Sequence, residues 1–352
     1  MGDDRNENTE ELRCHRQAII DLGEAMPGSG PGALGEALPK SDAWPEDLRD
    51  TPMIIDTDIG GDADDALAVA LAARCVSHLA LVTTADETGS EQGRGQRARF
   101  ARYLLDSVGR TETPVTAGAD LGGTRYYCVE GLTPAQVPPQ EADVVSAVRR
   151  LAAERTGPIR WVGMGPMTNL ADLLSHAPEV ASRLRVTQMG GALRYRDPER
   201  AEHNFRLDAA AVHTVFGAIA DGLLPAPEFV TSEVTYTPEI RVDSSHALYR
   251  KLRAFDAPPW AALLGTHLDR WFSGADLPIP GTLQHDALTL SAALKLPFVQ
   301  SEDMPLAVDD IGRTTVSVEG TVVQVSTAAH YSGFMSWLQT GLDPAIAPAP
   351  RP

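Results

Sequence analysis

Between Asp56 and Asp65 the chain reads Asp-Thr-Asp-Ile-Gly-Gly-Asp-Ala-Asp-Asp, five carboxylates in ten residues. Carboxylates this close raise one another's pKa values and stay ionised together only beside a cation, most economically a divalent metal. An oxygen-only donor set without Cys or His favours a hard ion, calcium or magnesium, over zinc. An EF-hand does not fit: counted from Asp56, the Gly of the sixth position is present as Gly61, but the place of the closing Glu is taken by Leu67. The loop therefore supplies part of a cage that other segments must complete. A solvated loop capping a helix is the bland alternative, yet a cap needs one or two carboxylates, not five.

The flanking residues say how the loop is held. Met53, Ile54 and Ile55 read as a buried strand, Gly60-Gly61 gives the backbone freedom of a tight loop, and Ala66, Leu67, Val69, Ala70 and Leu71 begin a helix. Asp62, Asp64 and Asp65 fall at or before its first turn, where carboxylates favour the positive end of the helix dipole. Further on, apolar strands at Leu79 to Thr83, Ile159 to Gly163 and Arg185 to Met189 alternate with helical stretches at Gly95 to Val108 and Asp143 to Arg155. That alternation predicts an α/β fold with a doubly wound, mostly parallel central sheet flanked by helices. The acidic loop then lies at the C-terminal end of a strand, where open α/β sheets place their ligands.

Other motifs extend the pattern. Asp56, Asp58, Gly60, Asp64, Asp65 and Ala66 are followed by Gly165-Pro166-Met167-Thr168-Asn169-Leu170-Ala171, by Met189-Gly190-Gly191, by Ala201-Glu202-His203-Asn204 with Asp208-Ala209-Ala210-Ala211, and by Gln284-His285-Asp286-Ala287-Leu288. In type and order these resemble the motifs of the inosine-uridine-preferring nucleoside hydrolases, over residues 52 to 300. The resemblance implies their Rossmann-like fold and metal-dependent hydrolysis of the N-glycosidic bond of a ribonucleoside or related N-riboside. It implies calcium held by Asp58, Asp65, the carbonyl of Met164 and Asp286, with Asp58 also the general base toward water. Asp64 would hold a ribose hydroxyl, and Glu202 and Asn204 the 5′ end of the sugar. His285 is the candidate proton donor to the leaving base, since an unperturbed imidazole titrates near neutrality. By the same resemblance the protein would be a homodimer or homotetramer.

Several residues depart from that pattern. The acidic loop is two residues longer than the family's shortest form, which leaves Asp62 as the alternative to Asp58. Where the family carries Val-Ala-Gly-Asn, this chain has Thr84-Ala85-Asp86-Glu87-Thr88; its His-Gly-x-x-Gly-Leu loop survives only as Tyr127-Cys128-Val129-Glu130-Gly131-Leu132; and an Asn expected before Glu202 is absent from Arg194-Tyr195-Arg196-Asp197-Pro198-Glu199. The departures suggest an unusual substrate, or a silent ribose- or nucleoside-binding protein on the same fold. Trp260, Trp271, His267, Tyr126, Tyr127 and Tyr195 could stack on a base, with Trp271 the first choice, because it lies on the helix predicted before His285. Thr168 and Asn169 read first as caps of a helix starting near Leu170.

With 352 residues and 43% hydrophobic content, the chain can build one large catalytic domain, expected over 51–344 between an acidic extension at 1–50, with a short helix at Glu10 to Leu22, and an Ala/Pro tail at 345–352. A net charge of −18 argues against nucleic acid or anionic membrane as partner and suits a small molecule. No apolar run approaches the roughly eighteen residues of a membrane span, and no signal peptide is evident. Cys14, Cys75 and Cys128 are few and widely spaced, as in a cytoplasmic protein. A haloacid dehalogenase-type phosphatase also places Asp-x-Asp after its first strand, but would need a hydroxyl residue where Gly60 stands.

Overall fold

The structure, a computed structural model, describes residues 25–26, 51–87, 93–122, 127–274 and 280–348. The chain divides into a small unit, Met1–Arg49 with Lys295–Pro297, and a large one, Asp50–Leu294 with Phe298–Pro352. The helix expected at Glu10 to Leu22, and Tyr126, lie outside the described residues.

Among the described residues of the large unit run eleven strands: β1 (Met53–Thr57), β2 (Leu79–Asp86), β3 (Val115–Asp120), β4 (Ile159–Gly163), β5 (Leu184–Met189), β6 (Glu228–Val230), β7 (Arg241–Val242), β8 (Thr282–Leu283), β9 (Val299–Val308), β10 (Thr314–Val316) and β11 (Thr321–Ala329). Nine form one sheet in the order β10-β9-β11-β6-β5-β4-β1-β2-β3, and β7 and β8 pair separately. From β11 to β3 every pairing is parallel; only β9 is antiparallel to its neighbours β10 and β11. The expected mostly parallel, doubly wound sheet is therefore present. Residues of β1 are all buried, as an apolar strand covered on both faces must be.

Alternate residues of β1 serve different layers. Ile54 joins Trp161, Val186 and Phe229 in a cluster with side chains of the helices Val144–Glu154, Thr168–His176 and Ala209–Ala220. The helices Asp64–Cys75 and His285–Ala293 contribute nothing to that cluster; they pack on each other, and the second on β4 and β5, which places them on the other face. Helix Asp64–Cys75 is buried from Asp64 to Arg74, and its five alanines let neighbours approach from every side. Arg74 closes it: Nε donates to the carbonyl of Gly341 at 2.7 Å, Nη2 to Asp343 and Ile346, and the guanidinium lies 4.4 Å over Trp260. Trp260 is thereby a packing residue.

The strand order reverses at β1. From there the chain moves outward through β2 and β3, then returns to place β4 on the other side of β1. Such a switch point opens a crevice beyond the carboxyl ends of the two strands. Asp56 stands opposite Gly163 there, so the acidic loop and the Met164–Gly165 turn leave the sheet side by side.

Candidate active site

The acidic loop is clamped from several directions. Thr57 donates its hydroxyl to the carboxylate of Asp65 and accepts from the amide of Ile59 at 3.2 Å, which curls the loop back onto the helix start. Arg97 donates to the carbonyl of Ile59 at 3.0 Å. Gly60 has φ of 110°, and a Cβ there would lie 2.9 Å from both Tyr127 and Val129, so conformation and space both require glycine. The Cys128 amide donates to the Gly60 carbonyl at 2.9 Å, while Cys128 Sγ and His267 Nε2 both reach the carbonyl of Gly61 at 3.1 Å. His267 is fully buried and packs edge-on against Phe100, so it serves structure, not base stacking.

Above the crevice lies a cavity of about 510 Å³, and its lining includes Asp58, Asp64, Asp65, Met164, Glu202, Asn204, Trp271, His285 and Asp286, together with Asp62. Each residue given a catalytic, metal-holding or sugar-binding role from the sequence, and Trp271, borders this one space, whereas the stacking candidates Trp260, His267 and Tyr127 do not. Asp64, Asp65 and Asp286 come together with one carboxylate oxygen of each within 4.8 Å of the others, all three buried. Burial holds all three well above the usual carboxylate range, compounded by repulsion from Asp62 and Asp58 at Asp64, from Asp58 and Asp64 at Asp65, and from Asp64, Asp65 and Asp58 at Asp286. A cation among them would relieve both costs, and their oxygen-only chemistry fits a hard divalent ion.

Asp58 belongs to a neighbouring group with Glu87 and His203, again with ligand atoms within 4.8 Å. It is also the carboxylate against which the β4 turn packs: a Cβ on Gly165 would stand 3.1 Å from the Asp58 nitrogen and 3.3 Å from its carboxyl carbon. Asp62 is tied down differently, accepting from the next amide, Ala63, at 2.6 Å, and burial pushes it up to about 7. Beneath them Asp56 is pushed up to about 8 by burial, against the hydrogen bond from Asn169 at 2.7 Å and with repulsion from Asp58.

Asn169 and Thr168 correct one expectation. The helix begins at Thr168 with Met167 as its cap residue and no capping side chain, so neither is a cap. Asn169 instead stitches three segments, donating to Asp56 and to the carbonyl of Thr84 (3.1 Å) and accepting from the amide of Ala119 (3.0 Å). Thr168 donates to Asp208 at 2.7 Å.

The Glu202 carboxylate accepts from the amides of Gly191 (3.1 Å), Asn204 (3.2 Å) and Phe205 (3.3 Å), capping the short helix His203–Leu207, and burial still raises it. The Asn204 amide donates to the carbonyls of Met164 (2.9 Å) and Met189 (3.2 Å), so it fixes the very carbonyl expected to ligate a metal. Trp271 lines the cavity with Nε1 donating to Gly281 at 3.1 Å, and Tyr195 lines it with its hydroxyl bonded to Thr314. Tyr127 is engaged by Arg97, 5.7 Å from its ring.

His285 departs from the near-neutral titration expected of it. Burial, with Arg196 and His203 nearby, pushes it down to about 3, so the imidazole is neutral at neutral pH. Its ring stacks at 6.4 Å on Tyr236, which carries the Arg196 guanidinium on a ring face. Glu87 and His203 were not named as site residues from the sequence, although the signal was there. Glu87 stands where the family motif has Asn, and His203 lies between Glu202 and Asn204; both come beside Asp58. Glu87 is buried and forms an ion pair with Arg97 at 3.2 Å.

The fold thus gathers buried carboxylates at the switch point of a mostly parallel sheet. A family model described as inosine-uridine preferring nucleoside hydrolase matches residues 53–336, and the chain belongs to this family. It is accordingly an N-glycosyl hydrolase, cleaving the bond between a ribose and its base. The pyrimidine-specific ribonucleoside hydrolase RihA of Escherichia coli strain K12 is 27% identical over 287 residues, covering 75% of this chain and 86% of that protein. The plant nucleoside hydrolase PpNRh1 has a similar fold, with a TM-score of 0.69 at 21% identity over 84% of this chain and 99% of that one. The inosine-uridine preferring nucleoside hydrolase of Bacillus anthracis gives 0.64 at 17% identity over 84% and 100%. Among the described residues no helix is long and apolar enough to cross a membrane.

Proposed function

We propose that the chain is a calcium-dependent N-ribohydrolase in which Asp58, Asp65, the Met164 carbonyl and Asp286 hold the ion and Asp58 is the base. The observation that carries this reading is the convergence of carboxylates from two distant segments, Asp64–Asp65 and Asp286, within 4.8 Å of each other in a cavity that Asp58 and Met164 also line. When bound, a divalent ion supplies Lewis acidity toward water and the ribose diol.

The chain's own groups do the rest. Asp58, packed against Gly165, takes the proton from the attacking water as it approaches the anomeric carbon. Asp64 accepts a hydrogen bond from a ribose hydroxyl, a charge-assisted contact that a deoxyribose lacks and that helps select ribose. Thr57 orients Asp65, and Asn204 orients the Met164 carbonyl. The departing base leaves toward Trp271 and His285. Because His285 is neutral, it offers a ring N–H or a lone pair to the base and orients it, while the base's final proton comes from solvent. We assign the protein to the cytoplasm on its few, widely spaced cysteines, and to a homo-oligomer on the strength of family resemblance.

The test is ribose release, read by a reducing-sugar assay over a panel of purine, pyrimidine and modified ribosides, with and without calcium chelation. Chelator-sensitive release from any member supports the reading. Release that withstands full metal removal contradicts it.

A further inference from the structure

The cavity is bipolar. Its lining includes Asp58, Asp64, Asp65 and Asp286 and also, from the segment Arg194–Arg206, the four arginines Arg194, Arg196, Arg200 and Arg206. In a chain of net charge −18, these thirteen residues carry four arginines against Asp197, Glu199 and Glu202, so the segment is slightly net basic. Arg200 pairs with Asp197 at 3.4 Å, and Arg206 donates to the carbonyl of Ala201 at 3.0 Å with His203 beside it. Arg194 and Arg196 are exposed at the cavity; the Arg194 amide donates to the Glu233 carboxylate at 2.7 Å, while neither guanidinium forms an ion pair among the described residues. Arg196 is held in place by stacking 3.1 Å over Tyr236. This is also the segment that lacks the Asn which the family motif has before Glu202.

We propose that the cavity takes N-ribosides phosphorylated on the 5′ oxygen, with Arg194 and Arg196 gripping the phosphate and Arg206 adding to the field. This rests on the N-ribohydrolase reading above. Glu202 and Asn204, assigned to the 5′ end of the sugar, lie on the same segment, with Glu202 one helical turn before Arg206. A phosphate monoester carries about −1.5 to −2 charges at neutral pH and matches the guanidinium fork. The volume of about 510 Å³ accommodates such a molecule. In the reaction, water gives its hydroxyl to the anomeric carbon and its proton to Asp58, which later returns it to solvent, while the leaving nitrogen takes its proton from solvent; the phosphate ester stays intact on the released sugar.

The test compares kcat/KM for ribonucleosides with that for their 5′-monophosphates and 5′-diphosphates, using calcium-loaded wild type and the double variant R194Q/R196Q. Wild type is expected to prefer a phosphorylated form by tenfold or more, about one charge-assisted hydrogen bond's worth. The preference should shrink with added salt and fall toward unity in the double variant. Which phosphorylated form leads distinguishes a mononucleotide from a diphosphate-linked substrate. A wild-type ratio at or below one, or a ratio the double variant leaves unchanged, overturns the proposal. If no riboside is turned over, calorimetric binding of ribose 5-phosphate against ribose decides the matter: tighter binding of the phosphate, lost in R194Q/R196Q, supports the proposal even as the hydrolase reading fails, and equal binding overturns it.

Discussion

Lowering pH should weaken metal binding steeply, and the structure sets the slope. Asp64, Asp65 and Asp286 are held well above the usual carboxylate range by burial and by repulsion from neighbouring carboxylates, so the metal-free site retains protons at pH values where ordinary carboxylates have lost them. A divalent ion must expel those protons. Each one expelled makes the apparent affinity fall about tenfold, or 1.4 kcal/mol, per unit of pH decrease while the site remains protonated. With one or two protons displaced, dissociation constants measured between pH 8 and pH 6 should rise by roughly 10² to 10⁴. The same linkage acts on folding with the opposite sign. A carboxyl whose folded pKa is raised binds more protons folded than unfolded, so metal-free stability declines as pH rises through the window from the ordinary value of 3.8 to about 7 for Asp62 and about 8 for Asp56. The metal-free protein should melt at a higher temperature near pH 5 than near pH 8, and calcium should close the gap. Titration calorimetry in two buffers of different ionisation enthalpy counts the protons directly. A calcium affinity flat between pH 6 and pH 8, with no proton release, would refute the reasoning.

Three further outcomes follow from named contacts. Asn169→Ala strips partners from Asp56, the Thr84 carbonyl and the Ala119 amide, and should destabilise the protein by about 2–4 kcal/mol in a denaturant melt; a change below half of that would show the stitch is slack. Gly165→Ala puts a methyl 3.1–3.3 Å from Asp58, so kcat should drop by about tenfold or more while the melting temperature moves little, because positioning is more sensitive than stability. Arg97→Met leaves Glu87 buried without its ion pair and should cost about 3–5 kcal/mol; a neutral result would mean Glu87 is protonated or has found another partner.

Much of this architecture was legible because the signals were local. The strand Met53–Thr57, the helix starting at Asp64 and the alternation through Ile159–Gly163 follow from apolar runs, glycines and acidic first turns, each of which acts on its own neighbourhood. The carboxylates of the site were also visible, because five in ten residues is costly without a purpose. What did not show was any role set by partners far along the chain. Asn169 looked like a cap, and only the docking of β1, β2 and β3 beside it turns it into a stitch. His285 looked like a group titrating near neutrality, and its burial with Arg196 close by makes it neutral. His267 and Trp260 looked like base-stacking candidates, but one clamps the acidic loop and the other lies under Arg74. Glu87 and His203 flank Asp58 from strand and helix ends 116 residues apart in the numbering, a proximity no local pattern encodes.

The central claim is that Asp58, beside a metal held with Asp65 and Asp286, activates water. It is tested most directly by ribose release from Asp58→Asn and Asp62→Asn, each with its calcium content measured alongside. Asp58→Asn should lose at least 10³-fold in kcat, in the range of a general base that also touches the metal, while Asp62→Asn keeps activity within tenfold of wild type. Full turnover by Asp58→Asn, or loss confined to Asp62→Asn, would contradict it.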